Sequence, residues 1–293
     1  MNKLKKLIPV LLLATPIIFG LIGCDKLARP ALPKDYSQDV PVTPTTSLRF
    51  YLPFDSTSEA DKQINIRFKD SISNYPSFFP DPSTMAVPGV RGTAYQGSSS
   101  TFLHYYNAND FGAATSFTIS FWLNATIAEK NNSNACGVMA LASTSNFWSE
   151  FAVYADNTTK GSSDSMDLKF AFSADNSGGN TNWAFAGYTG NNRWPAMYDG
   201  NWHHVAFTYD AAAKTGTLYR DGIQFDQKTG QSIAFDGKAS QFVVGGFQEA
   251  ASVVDTYAHN SWMAGFAGAI DQVRLYNAAL SATDVAALYN NKQ

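Results

Sequence analysis

The chain has 293 residues, of which 45% are hydrophobic, 14% aromatic and 15% charged, and its formal net charge is −3. This composition supplies enough apolar material for one large domain with a core of its own, and it excludes a disordered chain. Without the three lysines of the first 23 residues, 18 basic residues stand against 24 acidic ones, so the charge gives no sign of nucleic-acid binding.

The first 23 residues have the layout of a signal peptide. Three lysines precede an apolar run, Leu7 to Ile22, which is short for a membrane-spanning helix and is interrupted by two prolines. The run ends in Leu-Ile-Gly-Cys, which resembles the lipobox of bacterial lipoproteins. That resemblance implies cleavage before Cys24, acylation of its thiol and stable membrane anchoring by several acyl chains. The alternative is an ordinary secretory signal with a chance cysteine.

Residues 24–46 are polar and proline-rich and have no hydrophobic period, which is typical of an extended tether. We therefore divide the chain into a lipoprotein signal peptide (1–23), a proline-rich tether (24–46) and one folded domain (47–293). Within that domain Cys136 has no second cysteine to pair with, and we expect it to be a small buried hydrophobic residue.

The N-terminal half of the domain is predicted to consist of strands and loops. In a strand over 116–124, Phe117, Ile119, Phe121 and Leu123 share one face. Further strands of this half are predicted at 47–54, 64–68, 92–96, 101–105, 137–142, 147–154 and 166–173. We expect the two strands on either side of Gly97 to pair with each other.

The C-terminal half continues the strand pattern and ends in a short helix. Asp221-Gly222 is typical of a type I′ turn between two antiparallel strands. Ser281, with Asp284 three residues later, approximates a capping box for a helix that runs to about Asn290. The strands of this half are predicted at 183–188, 205–209, 217–219, 223–227, 241–246 and 269–276.

Four segments carry a resemblance to laminin-G-like, or concanavalin A-like, domains: the opening 47–55, the strand 115–125, the meander 202–222 with its W-H-H-V-A-F-T-Y-D and T-L-Y-R-D-G, and the closing 265–289. The resemblance implies an all-β fold, a two-sheet antiparallel jelly-roll sandwich with a short C-terminal helix. This fold hosts lectins, glycan-binding modules, glycosidases and adhesion domains, so it does not fix one function.

The acidic residues do not have the pattern of a glycosidase. Catalytic members of this superfamily carry clustered carboxylates, E-x-D-x-x-E or similar, on one strand. The four glutamates here, Glu59, Glu129, Glu150 and Glu249, do not form such a cluster. Glu150 and Asp156 would lie roughly 20 Å apart on one strand. We therefore expect no hydrolysis.

Two acids are candidates for a metal site. The resemblance implies a structural calcium ion held by a carboxylate near the first strand and another on the closing strand, where Asp55 and Asp271 fall. The alternative is that Asp55 is a turn acid and Asp271 pairs with a neighbouring cation. Both interpretations stay open because two acids are too few to specify an ion that takes 6–8 oxygen ligands. The adjacent His203 and His204 would face opposite sides of a strand and cannot chelate one metal.

Three tryptophans lie in or beside loops rich in asparagine and glycine, whereas Trp122 and Trp202 lie inside strands and are expected to be structural. Sugars stack their C–H faces on aromatic rings and give their hydroxyls to polar side chains, and binding residues collect on loops. The expected ligand-binding residues are Trp183, Trp194, Trp262, Asn182, Asn191, Asn192, Arg193, Tyr188 and His259. The alternative is that these rings cover hydrophobic edges of the sandwich.

Trp183 and Trp194, with Asn182, Asn191 and Arg193, are the central hypothesis. Their loops leave opposite ends of one short strand, about 15–20 Å apart, so an oligosaccharide crossing the sheet could reach both.

Together these patterns predict a lipid-anchored protein of the bacterial cell envelope, placed on the outer membrane where it could face the cell surface. It would bind oligo- or polysaccharide without catalysis, serve glycan capture beside glycan-uptake proteins, and contact the membrane through acylated Cys24. Two alternatives remain: a protein-binding adhesion module, and a glycoside hydrolase whose acid pair is made by the fold.

Overall fold

The computed structural model describes residues 46–55, 68–77, 85–130, 134–156, 164–175, 179–189, 192–238, 241–249 and 260–292. The predicted signal peptide, Cys24 and nearly all of the tether lie outside the described residues, as does most of the strand predicted at 64–68. Among the helices that the structure describes, none is long and apolar enough to cross a membrane.

The described part of the chain forms two β-sheets with a helix at the C-terminal end. The strands are β1 (Leu48–Leu52), β2 (Ala86–Pro88), β3 (Thr93–Gln96), β4 (Leu103–Tyr105), β5 (Phe117–Thr126), β6 (Ala135–Leu141), β7 (Phe151–Asp156), β8 (Leu168–Ser173), β9 (Thr181–Phe185), β10 (Asp199–Asp210), β11 (Thr215–Arg220), β12 (Ile223–Lys228), β13 (Phe242–Val244), β14 (Met263–Gly265) and β15 (Ala269–Tyr276). The helices are α1 (Ile127–Lys130) and α2 (Ala282–Asn291), and Phe111–Ala113 form a 3-10 turn.

The first sheet has the strand order β12-β11-β10-β5-β15-β3-β2, with β1 also paired to β15. The second sheet has the order β4-β13-β6-β7-β8-β9. All of these pairs are antiparallel, and a short parallel pair joins β14 to β6. The predicted all-β sandwich of two antiparallel sheets with a short C-terminal helix is confirmed.

The main core lies between the two sheets and is built from alternate residues of their strands. Phe117, Ile119 and Phe121 of β5 are buried in it, as the period-two pattern predicts. The rings of Phe172 on the second sheet and Phe207 on the first stack with centroids 4.5 Å apart. Each buried aromatic side chain of this kind contributes about 1.5–3 kcal/mol of hydrophobic free energy.

The central meander has the predicted turn. Asp221 and Gly222 both adopt positive φ, 51° and 76°, as a type I′ turn requires, and they join β11 to β12. The two histidines of β10 have structural contacts. His203 hydrogen-bonds Asp199 and Asp221, while His204 is fully buried against Ser120, so the two do not share a ligand.

One strand pairing differs from the prediction. The strands on either side of Gly97 do not pair with each other, because β3 lies in the first sheet beside β2 and β15, whereas β4 lies in the second sheet beside β13. A Cβ on Gly97 would collide with the carbonyl oxygen of Phe266, so the chain passes tightly against a distant segment here. Their close spacing in sequence predicts a hairpin, but contacts far along the chain decide the pairing.

The C-terminal helix covers part of the outer face of the first sheet. The Ser281 side chain accepts a hydrogen bond from the Asp284 amide, and the Asp284 carboxylate accepts one from the Ser281 amide, so the predicted capping box is confirmed. Val285 is buried on the sheet, and Tyr289 stacks on Trp122 with centroids 5.5 Å apart. Trp122 therefore has the structural role that the sequence predicts.

Candidate aromatic binding site

The outer face of the second sheet carries a cluster of aromatic rings. In β7, Phe151, Val153 and Ala155 point into the main core, so Tyr154 faces outward. Rings from β9 and from three loops join it there. We call the set the aromatic platform, and its members are Phe147, Trp148, Tyr154, Trp183, Phe247 and Trp262.

Trp148 is the centre of the platform. Its ring lies 4.9 Å from that of Trp183 in an edge-on arrangement, 5.4 Å from Tyr154 in a stacked one and 5.7 Å from Trp262. Such centroid distances are within the range of favourable aromatic pairs, each contributing about 0.5–1.5 kcal/mol beyond burial. The rings therefore hold one another in place before any ligand arrives.

The loop that presents Trp148 is fixed by hydrogen bonds on both sides. The Asn146 side-chain oxygen accepts from the Trp148 amide at 2.8 Å, and the Gln248 amide nitrogen donates to the carbonyls of Asn146 and Phe147. Ser149 adopts a left-handed φ of 70°, which turns the chain between Trp148 and β7. The loop is thus pre-organised, which lowers the entropy cost of binding.

Small residues allow the rings to lie close to the sheet. Ala135 of β6 and Ala171 of β8 are buried in the same apolar cluster as Tyr154 and Phe247. Above them exposure increases outward: Tyr154 and Phe247 are buried, Trp148 and Trp262 are half-buried, and Trp183 is 43% exposed. The platform therefore presents a tryptophan to solvent on a packed aromatic base.

Charged side chains border the platform next to Tyr154. Lys169 Nζ lies 2.6 Å from Asp156 Oδ2 and 3.5 Å from Asp167 Oδ2, and all three side chains are largely buried. Burial, followed by the charges of Asp156 and Asp167, raises the pKa of the Tyr154 hydroxyl. This border therefore carries one cation and two acids that pair with one another beside the aromatic surface.

Amide side chains border the platform near Trp148. Asn146 donates to the carbonyl of Asn180 and accepts from Thr181, while Asn180 donates to Asp175 at 2.6 Å. Amide and hydroxyl groups of this kind are the usual partners of sugar hydroxyls.

Two glutamates near the platform loops have carboxyl groups that burial perturbs. Burial raises the pKa of Glu249 to about 7, and Glu249 is 5% exposed, with neither carboxyl oxygen hydrogen-bonded among the residues that the structure describes. Burial also raises the pKa of Glu150, one of whose oxygens accepts from the Asp236 amide. Both are thus biased toward the neutral acid.

Trp194 does not belong to the platform, and the prediction that it is an exposed stacking residue is wrong. Its ring is 0% exposed and stacks on Phe225 at 4.2 Å and on Phe170 at 6.3 Å. Residues 166 and 194 form a β-bridge that draws the loop inward. The ring closes the sandwich between β8 and β12, which is the alternative that the sequence left open.

Two neighbours of Trp194 are buried with it. Tyr188 packs edge-on against Trp194, and its hydroxyl donates to Asp226 at 2.8 Å. Arg193 is buried too, and its charge, after burial, lowers the pKa of Lys130. The predictions that Tyr188 and Arg193 line an open glycan site are therefore wrong, because their side chains are part of the protein interior.

The other predicted ligand residues have mixed outcomes. Asn182 donates to Gln231 and to the carbonyl of Ser232, so it ties β9 to a neighbouring loop, and Asn192 is exposed. Asn191 and His259 lie outside the described residues. Of the predicted tryptophans, Trp183 and Trp262 meet on one surface through Trp148.

The structure adds Phe147, Trp148, Tyr154 and Phe247 to the site, none of which was predicted. The run Ser-Asn-Phe-Trp-Ser around Trp148 has the same asparagine-flanked pattern as the predicted loops, but its aromatic residues predict a strand over 147–154. That strand begins at Phe151, and the residues before it form a loop.

Asp55 and Asp271 lie close enough to influence each other electrostatically. Asp271 is 0% exposed; its oxygens accept from the amides of Val90 and Gln272, and Asp55 accepts from the Thr93 amide. Burial raises the pKa of Asp271, and the charge of Asp55 raises it further. The backbone hydrogen bonds lower it by a smaller amount, and the resulting pKa is about 7. The described residues include no group of three or more acidic, histidine or cysteine side chains arranged for a metal ion.

Comparison with known proteins gives the fold a family context. A sequence model of the Concanavalin A-like lectin/glucanases superfamily matches residues 97–286. The binding domain of botulinum neurotoxin serotype D has a TM-score of 0.53 at 12% identity, over 84% of this chain and 52% of that chain. The binding domain of Paraclostridial Mosquitocidal Protein 1 has a TM-score of 0.52 at 16% identity, over 84% and 52%.

A sialidase of Trypanosoma rangeli, solved in complex with sialic acid, has a TM-score of 0.51 at 12% identity, over 85% of this chain and 33% of the sialidase. The chain thus spans about half the length of the two toxin domains and a third of the sialidase. No match is found among curated proteins. At these identities the solved structures support the jelly-roll fold and nothing finer.

Proposed function

The chain belongs to the concanavalin A-like lectin/glucanase superfamily, and from this we propose that it binds an oligo- or polysaccharide on the aromatic platform without cleaving it. The observation that carries the proposal is the packed set of rings on the outer face of the second sheet, with Trp183 43% exposed at its surface. A contiguous aromatic surface with a polar border is a common mark of a binding site, whereas a single exposed apolar side chain is not.

The chemistry of the platform suits a sugar chain. The C–H faces of sugars stack on aromatic rings, and the exposed Asn180 amide at the border can bind hydroxyls. Trp148, Trp183 and Trp262 form a continuous surface, so several sugar units could bind side by side. We therefore expect an oligosaccharide to bind far better than a monosaccharide.

A direct test uses a glycan array followed by calorimetry on the best ligand. Trp183→Ala removes the most exposed ring of the platform and should weaken binding at least tenfold, about 1.4 kcal/mol. Tyr75→Ala is the matched control, because Tyr75 is 46% exposed and lies outside the platform. Equal binding by wild type and Trp183→Ala would contradict the proposal. If no glycan binds and a protein is captured instead, the adhesion alternative is favoured.

Hydrolysis is the second candidate function, and Glu249 is the observation that favours it. A carboxyl with a pKa near 7 can act as a general acid, as glycosidases require. We propose binding without catalysis because Glu249 is almost fully buried and the sequence lacks a clustered pair of acids. Release of reducing ends from the bound glycan, lost in Glu249→Gln, would establish the hydrolase instead.

We also propose that Cys24 is acylated and holds the domain on the bacterial envelope, on the outer membrane and beside glycan-uptake proteins. The support is the leader sequence, with its lysines, apolar run and Leu-Ile-Gly-Cys. Expression of the full chain in a bacterial host with a labelled fatty acid should give a labelled membrane protein. Cys24→Ala should remove the label and release the domain from the membrane fraction.

A structural calcium ion is the last part of the proposal. Asp55 and Asp271 supply hard oxygen atoms, and each is penalised by burial, so a cation between them would relieve the cost. Backbone carbonyls or water would have to complete the 6–8 ligands. The expected role is to fix the loop 89–92 against β15, with no part in binding chemistry.

A further inference from the structure

A concave surface lies on the first sheet, whereas the platform lies on the second. It is a cleft of about 820 Å³ between β1, β15 and one flank of α2. Its walls include Tyr51, Asp55, Arg91, Arg274, Ala287 and Leu288. This volume lies within the range of small-molecule sites, about 300–1,000 Å³. Nothing in the proposed glycan binding uses the cleft.

Arg274 is the unusual feature of this cleft. It is 4% exposed, yet the structure places no carboxylate of the described residues within ion-pair distance of it. Its Nη2 donates to the Tyr51 hydroxyl at 3.0 Å, and its Nη1 donates to the carbonyl and side chain of Gln272. A buried cation with only neutral partners is costly, and a bound anion would offset that cost.

The Arg274 guanidinium is held in a fixed orientation, and some of its N–H groups make no hydrogen bond to the described residues. It lies over the Tyr51 ring, 4.2 Å from the centroid, so stacking and the Gln272 hydrogen bonds set its plane. Nε and the second hydrogen of Nη2 make no hydrogen bond to the described part of the chain. A planar fork of this kind matches the two oxygens of a carboxylate.

The charges of the cleft favour a singly charged ligand. Arg91 is exposed at the rim and adds a second cation, while Asp55 supplies one acid, so in the calcium-free protein the lining carries a net charge of about +1. Without calcium on Asp55, a dianionic phosphate would be repelled by that carboxylate more strongly than a monocarboxylate would. Ala287 and Leu288 give the cleft an apolar wall for the body of the ligand.

We propose that this cleft binds a small organic monocarboxylate, with its carboxylate on Arg274 and its apolar part against α2. The inference is independent of glycan binding on the platform. It rests on the cleft, the buried guanidinium without an acidic partner, and the net charge of the lining.

Isothermal titration of the purified protein in EDTA tests the cleft with three carboxylates: lactate, benzoate and glucuronate. Each is compared with its uncharged amide, and inorganic sulfate serves as the dianion in place of phosphate. We expect at least one carboxylate to bind with a Kd of about 1 mM or tighter, and its amide and sulfate at least tenfold more weakly. Failure of all three carboxylates to exceed their amides would overturn the proposal, as would tighter binding of sulfate.

Variants locate the bound carboxylate. Arg274→Gln and Arg274→Lys should each reduce binding at least tenfold, because the first removes the charge and the second removes the planar fork. Should either variant fail to fold, exposed Arg91→Gln should still weaken binding severalfold. Trp183→Ala is the control and should bind the carboxylate normally. Carboxylate binding that survives the arginine changes but is lost in Trp183→Ala belongs to the platform and contradicts the proposal.

Discussion

The buried carboxyl of Asp271 predicts an unusual dependence of stability on pH. Its pKa is about 7 in the folded protein, against an ordinary value of 3.8, because burial and then Asp55 disfavour the ionised form. A carboxyl whose pKa is raised on folding favours the folded state at low pH. The free energy of unfolding should therefore fall between about pH 4 and pH 7, and this contribution should be constant outside that window.

The size of the effect follows from the shift of about three pH units. At about 1.4 kcal/mol per unit, Asp271 alone accounts for a loss on the order of 4 kcal/mol, an upper value for a carboxyl that keeps backbone hydrogen bonds. Calcium bound by Asp55 and Asp271 would lower the pKa values of both carboxyl groups. It would therefore remove much of the loss of unfolding free energy at neutral pH. Stability should then depend on calcium strongly at pH 7.5 and weakly at pH 4.5.

Urea unfolding between pH 4.5 and 8, with EDTA and with calcium, measures both effects. Asp271→Asn separates this group from Glu249 and His203, whose raised pKa values act in the same direction. The variant should lose the part of the pH slope that Asp271 contributes, up to about 4 kcal/mol, and most of the response to calcium. If wild type and Asp271→Asn have the same slope in EDTA, the reasoning about this carboxyl is refuted, and an absent calcium response at pH 7.5 refutes the ion.

Three further changes test the fold and the corrected site. Trp194→Ala should lower the free energy of unfolding by about 3–5 kcal/mol and the Tm by about 10 °C, which differential scanning calorimetry measures. The folded fraction should bind glycan normally in a titration. Ser281→Ala removes a cap of α2 and should cost about 1 kcal/mol in urea unfolding, with Ser145→Ala as an exposed control. Gly137→Val should prevent stable folding, since a Cβ would meet backbone atoms of Gly246 at 2.5 Å, and a Tm equal to that of wild type would contradict the packing.

Elements set by local chemistry could be predicted from the sequence. The alternation in β5, the Asp221-Gly222 turn and the capping box at Ser281 each depend on residues a few positions apart. The pairing of β3 and β4 could not be predicted in this way, since each finds its partner far along the chain. Which sheet each of these two strands joins therefore depends on the whole fold and not on the residues around Gly97.

The site shows the same division between local and distant information. Trp183 and Trp194 have similar surroundings in sequence, yet one is exposed and the other is fully buried. What separates them is a bridge to Met166 and stacking on Phe225, contacts that no local pattern records. Trp148 was missed because its aromatic neighbours suggested a strand. The local sequence indicates which residue types could stack on a sugar, and the packing of distant loops decides which of them share a surface.

Oligosaccharide binding by the platform is tested most directly by titrating a glycan-array hit into wild type, Trp183→Ala and Tyr75→Ala, with reducing ends measured in the same samples. We expect at least tenfold weaker binding in Trp183→Ala, unchanged binding in Tyr75→Ala and no new reducing ends. Equal affinity in all three proteins, or steady release of reducing ends by wild type, would contradict the account.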